Sequence, residues 1–380
     1  MTGVATNDGE LILDSHKLSY HFDRIQAWEA GERIAPVSVD MALTRACGAM
    51  CSFCYAMMQE SQVRSSIKPD TALSLADDFA EIGIKSVSLV SDGESTLSRA
   101  YVPFIQHASS LGIDIGNATN AWEWDPEKIE QVLPYLTWVR FTVAAGTPES
   151  YAKHMYKGPE HTEVFDRAMR NIRYAVELKE RLNLPVTLGI QMVLMPDMGS
   201  EIIPFAKLGL DLGVDYAVIK HCSDDENGTL GIDYDSYASL YPALQQAELL
   251  SNEKTKIIVK WSKINDGGKP SYKRFYGPQF LLQISGSGLV APSGMFFNSR
   301  HSKLHIGNYT EQRFIDIFNS DRYWRAMDYL ASPNFDAQTM MGTLPIQHYV
   351  SVALDNHVKG VQRLVPADPN ASLPLHHNFL

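Results

Sequence analysis

Between residues 36 and 220, short apolar runs alternate with longer amphipathic stretches, and this rhythm constrains the fold more than any other feature of the chain. The apolar runs predict strands at 36–43, 86–90, 113–118, 138–143, 185–194 and 215–220. The stretches between them predict helices at 71–82, 101–111, 126–135, 161–182 and 200–212. Strands that are apolar along their whole length are typical of parallel sheets covered on both faces. The pattern therefore predicts an α/β domain built from βα units.

The rhythm changes after about residue 228, where a smaller region begins. Three segments there are typical of antiparallel strands separated by turn residues: 257–261, 280–285 and 288–292. A helix is expected at 311–330, so this region is predicted to be α+β. We divide the chain into a lead-in segment at 1–35, a main domain at 36–228, the smaller region at 229–355 and a Pro-rich tail, extended along the surface, at 356–380.

The charge and cysteine content of the chain argue against several classes of protein. Its 380 residues carry a formal net charge of −11 and no run of Lys and Arg, so we expect no nucleic-acid partner. No apolar stretch reaches the roughly 18 residues of a membrane span, and the first residues lack the features of a secretion signal, so we expect no membrane association. Four cysteines, three of them close together, suit metal binding in a reducing compartment. The expected localisation is cytoplasmic.

Three cysteines, Cys47, Cys51 and Cys54, directly follow the first predicted strand in the segment CGAMCSFCY. Thiolates are soft ligands that select iron–sulfur clusters, zinc or copper. A structural zinc site normally has four ligands, whereas this loop offers three. Three thiolates on a four-iron cluster leave one iron open to a small molecule. Two alternatives stay open: a zinc site completed by a distant His or by Cys222, and a simple electron-transfer cluster.

The CxxxCxxC spacing, with the aromatic Phe53 before the third cysteine, resembles the radical S-adenosylmethionine (SAM) superfamily. The resemblance covers residues 36–225 and implies a partial (β/α)6 barrel. It also implies a [4Fe–4S] cluster on the three cysteines, with SAM as the cofactor that binds the open iron. An electron donor such as flavodoxin or ferredoxin would then drive cleavage of SAM to a 5′-deoxyadenosyl radical, and the barrel would orient the reactants and exclude water.

The resemblance also implies positions that contact SAM. Ser91, Asp92, Gly93 and Glu94 end the second strand, where the family has a Gly-Gly-Glu motif, although two glycines are replaced here. Further expected cofactor-binding residues are Phe53, Tyr55, Asn120 (next to Thr119), Thr142 and Gln191. The alternatives are an ordinary turn at 91–94 and, for the strand residues, β-propensity or hydrogen bonding to neighbouring backbone.

Residues 276–330 are similar to the SPASM or twitch extension found on many radical SAM enzymes. That extension normally supplies cysteines for auxiliary clusters, but Ser293 stands where a cysteine is common and no cysteine follows Cys222. An auxiliary cluster therefore cannot be built from thiolates in this region. Because such clusters often accept electrons from substrate, their loss favours redox-neutral chemistry.

Cys222 comes just past the sixth predicted strand, and the carboxyl ends of barrel strands form the active mouth. A thiol there could donate a hydrogen atom to a substrate radical, although free cysteines are often buried small hydrophobes. The neighbouring residues His221, Asp224, Asp225 and Glu226 could hold hydroxyl or amino groups of a substrate, or form a solvated acidic loop. Lys220 could contact a phosphate or a carboxylate.

Together these features predict a radical SAM enzyme that acts on a small-molecule substrate. A small polar metabolite, sugar- or nucleotide-linked, is favoured, with a redox-neutral outcome such as epimerisation. The alternatives within the family are dehydrogenation, carbon–carbon bond formation and peptide modification. The alternative from another class is a non-catalytic iron–sulfur or zinc-binding interaction protein.

Overall fold

The computed structural model describes residues 9–58, 65–342 and 344–380. Within them, one mixed sheet of ten strands forms the centre of the molecule, in the order β10-β9-β8-β1-β2-β3-β4-β5-β6-β7. The strands are β1 Ser38–Met41, β2 Ser86–Leu89, β3 Asp114–Thr119, β4 Trp138–Thr142, β5 Thr187–Leu194, β6 Tyr216–His221, β7 Lys256–Val259, β8 Leu281–Ile284, β9 Leu289–Ala291 and β10 Gly307–Asn308. Neighbouring strands from β8 through β1 to β7 are parallel.

Helices connect the parallel strands and cover the outer face of the sheet. They are α1 Phe22–Glu29, α2 Pro69–Ile82, α3 Tyr101–Ser110, α4 Pro126–Val132, α5 Pro148–Met155, α6 Glu163–Leu182, α7 Ile202–Leu212, α8 Tyr241–Glu248, α9 Trp261–Asn265, α10 Phe314–Asn319, α11 Asp321–Ala331, α12 Ala337–Met340 and α13 His348–Val358. Their ends follow local rules, since α2 begins with Pro69 and ends at Gly83 in the left-handed conformation. None of the described helices is long and apolar enough to cross a membrane.

The two faces of the parallel sheet have different chemistry. Val39, Val87 and Phe141 belong to the main apolar core, which they share with the helices. Because side chains alternate along a strand, the intervening residues point to the inner face, where Asp40, Ser88 and Arg140 are polar. The sheet is the partial barrel expected for the family, and the α/β prediction is confirmed.

The smaller region differs from its predicted antiparallel arrangement. β7 pairs with β6 in parallel, and β8 pairs with β1 in parallel. Among the ten strands of the described residues, only the pairs β8–β9 and β9–β10 are antiparallel. The prediction was wrong for 257–261 because α8 carries the chain back across the sheet, so that β7 runs in the same direction as β6. The domain boundaries inferred above stay predictions.

Two other local differences concern helices. α5 was not predicted, and the single helix expected at 311–330 is divided into α10 and α11. Ser320 separates the two helices, and its hydroxyl accepts a hydrogen bond from Tyr323 N at 3.2 Å as the N-cap of α11.

The end of the tail packs beneath the barrel, at the amino ends of the strands. Ser86 Oγ donates to Asn378 O at 2.7 Å, and Asn378 Nδ2 donates to Asp114 Oδ2 at 2.8 Å. Phe379 is 7% exposed and makes an edge contact with Trp138. The expectation of a tail lying on the surface was therefore wrong for these last residues, because paired backbone groups and a buried ring hold them in place.

Candidate active site

The cysteine loop follows β1 at the carboxyl end of the sheet, and α5 supports it. Met50 N donates to Met155 O at 3.0 Å, and Ser52 N donates to His154 O at 2.9 Å. Ser52 Oγ also lies 3.0 Å from His154 Nδ1. These bonds satisfy the last carbonyl groups of α5, which have no partner within the helix. These hydrogen bonds therefore fix the position of the loop on α5, although the loop contains no regular strand.

The three thiols of this loop lie within electrostatic range of one another. Burial raises the pKa of Cys51 well above its usual value, and the thiols of Cys54 and Cys47 raise it further. Burial also raises the pKa of Cys47 to about 12, followed by the effect of Glu94. Cys47 is exposed, whereas the other two are half-buried. The loop thus directs three soft donors to one place beside the end of β2.

Gly93 marks the closest approach between the end of β2 and the cysteine loop. A Cβ atom at this position would lie 1.9 Å from Thr44 O, so that only glycine fits without a backbone shift. Nearby, Ser91 Oγ is buried and has no hydrogen-bond partner among the described residues. An unpartnered buried hydroxyl beside the cysteine loop suits a bound polar ligand.

Asp92 has structural partners on three sides. Its carboxylate accepts hydrogen bonds from Ser285 Oγ at 2.5 Å and from Gly286 N at 2.8 Å. Arg45 Nε lies 3.1 Å from the same carboxylate in a buried ion pair. Asp92 therefore ties the end of β2 to the turn between β8 and β9.

Glu94 and Asn120 join the carboxyl ends of β2 and β3. Asn120 N donates to Glu94 Oε2 at 2.8 Å, and Thr96 Oγ1 donates to Glu94 Oε1 at 2.7 Å. Asn120 Nδ2 in turn donates to Glu123 Oε2 at 2.7 Å. Burial raises the pKa of Glu94 to about 7, against the effect of these hydrogen bonds. This network holds two strand ends next to the thiols.

The other expected SAM contacts divide between the barrel and its surroundings. Thr142 and Gln191 are direct neighbours across β4 and β5, and Gln191 is buried. Phe53 is buried in the main apolar core. Tyr55 packs against the apolar core of the smaller region, where its hydroxyl lies 3.5 Å from Met295 O. Only the first two therefore line the inner face of the barrel.

Cys222 lies at the same end of the barrel as the cysteine loop. Its side chain is fully buried, and the charge of the Cys54 thiolate acts on its thiol by raising its pKa. Burial raises the pKa of Cys222 to about 12. Next to it, burial and then the charges of Lys263 and Lys220 lower the pKa of His221 to about 3. The thiol is therefore protonated and the imidazole neutral at physiological pH.

The acidic loop after Cys222 has structural partners. Asp224 Oδ1 accepts a hydrogen bond from Leu230 N at 2.9 Å. Glu226 Oε1 accepts from Arg300 Nε at 2.6 Å and lies 3.0 Å from His301 Nε2. These contacts fold the loop and tie it to the smaller region, so a contact of either carboxylate with substrate stays a prediction.

Ser293, which stands where a cysteine is common in the similar extension, is fully buried in a hydrogen-bond network. Its hydroxyl lies 3.2 Å from Gln283 Oε1 and 3.3 Å from Gln347 Oε1. Gln347 Nε2 also donates to Leu281 O at 3.1 Å and to Pro292 O at 2.9 Å. Amide and hydroxyl groups thus surround the position where Ser293 replaces the expected cysteine.

Residues 41–207 match the family model of the radical SAM superfamily, and this segment contains all three cysteines of the loop. The chain contains a radical SAM domain. The match confirms the resemblance inferred from the cysteine spacing. No curated protein matches the sequence significantly.

Solved structures with the same fold include other radical SAM enzymes, at low sequence identity. SuiB of Streptococcus suis bound to S-adenosylmethionine is 15% identical with a TM-score of 0.61, covering 81% of this chain and 72% of its own. Native anSMEcpe with bound AdoMet is 14% identical with a TM-score of 0.54, covering 87% of this chain and 98% of its own. The similarity extends beyond the matched domain, since each alignment covers far more of this chain than residues 41–207 do.

A [4Fe–4S] cluster and SAM are the cofactors of the radical SAM enzyme, and its residues fit them. Cys47, Cys51 and Cys54 provide the three thiolates, and Ser91 Oγ at the end of β2 is buried without a partner among the described residues. In the described part of the chain, no three His, Cys, Asp or Glu side chains converge on the position of a single metal ion. The thiolates of a four-iron cluster bind three different irons, so they need not converge in that way.

Sequence reasoning missed several residues of this site. His154 contacts the cysteine loop but lies on α5, a helix that was not predicted. Lys260 and Lys263 follow β7 and lie near Lys220. They were missed because the pairing of β7 was predicted incorrectly. The high density of lysines in KIIVKWSK was the one available signal.

Proposed function

We propose that this radical SAM enzyme abstracts a hydrogen atom from a small polar metabolite bound at the carboxyl ends of β4–β7. The outcome is redox-neutral, with epimerisation at carbon preferred, and Cys222 returns a hydrogen atom to the substrate radical. The observation that carries the proposal is the position of Cys222, whose fully buried thiol is electrostatically coupled to Cys54 of the cysteine loop. With the cluster bound, reductive cleavage of SAM supplies the oxidising radical.

The environment of Cys222 suits a hydrogen-atom donor. A thiolate has no hydrogen to give, and burial keeps this group protonated by raising its pKa to about 12. Among the described residues, its S–H group donates a weak hydrogen bond to Ser223 O at 3.5 Å, which leaves the hydrogen atom available for transfer. His221 next to it is too weak a base to remove the proton, because burial lowers its pKa to about 3.

The electron balance defines what each turnover consumes. SAM bound to the cluster would supply, at the cost of one electron, the deoxyadenosyl group that takes a hydrogen atom from the substrate. Cys222 then gives its hydrogen atom to the opposite face of the substrate carbon and becomes a thiyl radical. A second electron and a proton restore the thiol, so that one SAM and two electrons are used. We expect a flavodoxin or a ferredoxin to supply the electrons.

A matched pair of variants tests the proposal with the anaerobically purified enzyme. Cys51→Ala is expected to lower the iron and sulfide content and to abolish 5′-deoxyadenosine formation after reduction. Cys222→Ala is expected to keep the cluster and 5′-deoxyadenosine formation but to stop the uptake of one deuterium from D₂O at the substrate carbon. Sugar-linked and nucleotide-linked metabolites are the substrates to screen. Unchanged deuterium uptake in Cys222→Ala would remove the thiol from the reaction.

Peptide modification is a second candidate, favoured by two structural neighbours. One is SuiB of Streptococcus suis bound to precursor peptide SuiA, at 15% identity and a TM-score of 0.61, and another is native anSMEcpe with bound AdoMet and a Kp18Cys peptide, at 14% identity and 0.55. Product mass separates the possibilities, because epimerisation leaves the mass unchanged while dehydrogenation or cross-linking lowers it by two hydrogens.

A further inference from the structure

Four cationic side chains come together near Cys222, and we refer to them as the cationic cluster: Arg140, Lys220, Lys260 and Lys263. Arg140 lies on β4, Lys220 on β6, Lys260 just past β7 and Lys263 on α9. The charges of Arg140 and Lys220 both act on Lys260, and all three act on Lys263. Such mutual effects require the four groups to be close in space.

Strand pairing explains why these residues meet. Ile219 pairs with Val259, and Lys260 N donates to Ile219 O at 2.9 Å, which brings Lys220 and Lys260 to the same level at the end of the sheet. Arg140 is two residues before Thr142 and on the same face of β4. The cationic cluster therefore belongs to the inner, substrate-facing side of the barrel.

The cluster lacks matching carboxylates in the part of the chain that the structure describes. None of its four cations lies within ion-pair distance of an Asp or Glu there, although other lysines and arginines do. Among the residues that the structure describes, Lys263 Nζ has one long hydrogen bond, to Pro345 O at 3.4 Å, and Arg140 Nε is buried without a partner.

The groups that do surround the cluster offset only part of its charge. Lys260 Nζ and Lys263 Nζ lie over the ring of Tyr349, at 5.6 and 5.2 Å from its centroid. The carboxylate coupled to both is that of Asp14, whose oxygens are already hydrogen-bonded to Ser262 and Tyr349. Arg140 lies over the ring of Trp138, at 5.6 Å from its centroid, and acts on the buried carboxyl group of Asp40. Two carboxyl groups and the faces of two rings do not balance four cations.

Buried charges of the same sign repel one another, and this repulsion is unfavourable when no opposite charge lies nearby. Burial and the neighbouring cations lower the pKa of Lys220 to about 8 and that of Lys260 to about 7. Lys220 and Lys260 are only partly shielded from solvent, so a ligand that enters the barrel can reach them. An anion of charge −2 or more would relieve the repulsion better than a single carboxylate, because four cations act on it.

We propose that the cationic cluster binds a phosphate or diphosphate group of the substrate, so that the substrate is a phosphorylated metabolite such as a nucleotide-linked sugar. This inference rests on the proposed function, since it names the substrate class for the same site. Lys220 is two residues before Cys222, so a phosphate held there would place the rest of the substrate beside the thiol.

Inorganic pyrophosphate is the probe for this inference, with binding to the reconstituted full chain measured by isothermal titration calorimetry. The wild-type enzyme is expected to bind one pyrophosphate, and the double variant Lys220→Gln/Lys260→Gln at least tenfold more weakly. Lys207→Gln, which removes an exposed lysine on α7, is expected to bind like the wild type. Equal affinity in all three proteins, or no binding to the wild type at millimolar pyrophosphate, would overturn the inference.

Two further measurements separate this inference from the proposed function. SAM affinity is measured in the same proteins: if the double variant lost SAM affinity while it kept pyrophosphate binding, the lysines would bind SAM and the inference would be wrong. Thermal unfolding shows whether the variant is folded, and pyrophosphate is expected to raise the Tm of the wild type more than that of the variant. Loss of the redox-neutral product in an enzyme that still binds pyrophosphate would refute the proposed reaction alone.

Discussion

The carboxyl ends of β2 and β3 and those of β6 and β7 form two sides of the same barrel mouth, yet their polar groups are organised differently. At β2 and β3, the carboxylates of Asp92 and Glu94 each accept hydrogen bonds from several protein groups. At β6 and β7, Lys220 and Lys260 have no carboxylate within ion-pair distance among the described residues. Buried polar groups that hydrogen-bond to each other support the structure, whereas buried cations without ion-pair partners indicate a ligand-binding site.

This difference changes the interpretation of the predicted site residues. Asp92 was expected to contact SAM, but its carboxylate braces the turn between β8 and β9. Glu94 likewise orders Asn120 and Thr96. We expect both to act on SAM mainly by positioning the backbone and the cysteine loop. On the opposite side, the lysines stabilise little of the protein and are therefore available for the substrate.

Of the substitutions at the ends of β2 and β3, removal of the Glu94 side chain should lower the free energy of unfolding most. Glu94→Ala leaves the buried Asn120 N and Thr96 Oγ1 without their acceptor, so the free energy of unfolding in urea should fall by about 3–4 kcal/mol. The control Glu253→Ala changes an exposed side chain and should cost less than about 0.5 kcal/mol. Equal losses in both variants would mean that the network contributes nothing.

Asp92→Ala should follow with a somewhat smaller loss. It removes the acceptor of Ser285 Oγ and Gly286 N and leaves Arg45 without its partner, and we expect a loss of about 2–3 kcal/mol in the same measurement. The matched control is Asp211→Ala, which breaks an exposed ion pair with Arg173 and should cost about 0.5 kcal/mol or less. If Asp92→Ala lost no more free energy of unfolding than this control, the two sides of the barrel mouth would not differ as described.

Lys260→Met should have the smallest effect and the opposite sign. Burial lowers the pKa of Lys260 from 10.5 to about 7, so the unfolded chain binds more protons than the folded one between these values. The destabilisation by Lys260 is therefore full below pH 7 and disappears above pH 10.5. Because the side chain is partly exposed, we expect the variant to be more stable by about 1–2 kcal/mol at pH 6 and equal to the wild type near pH 10.5.

Urea unfolding from pH 6 to 10.5 without phosphate checks this prediction, with Lys207→Met as the control that should show no such trend. A loss of stability at pH 6 in Lys260→Met would show that the lysine has a stabilising partner. In that case the two sides of the mouth would be alike.

Much of the fold could be predicted because its signals are local. Apolar runs of strand length located β1 to β6 within one or two residues, and Pro69 and Gly83 bounded α2 as capping preferences predict. α5 was missed because it spans only eight residues between Pro148 and Met155, too short for a clear periodic signal. The partners of β7 and β8 could not be predicted, since a strand's sequence does not specify which neighbour it joins.

The sequence by itself determined the chemistry of the cysteine loop, because three thiols separated by three and two residues must lie close together in any fold of so short a segment. Which polar groups are satisfied depends on the tertiary structure. Arg140 and Lys220 lie on two different strands and Lys260 follows a third, and the sequence shows none of their distances. Burial and hydrogen bonding depend on residues far apart in the chain, so this part of the site becomes visible only when the strands are assembled.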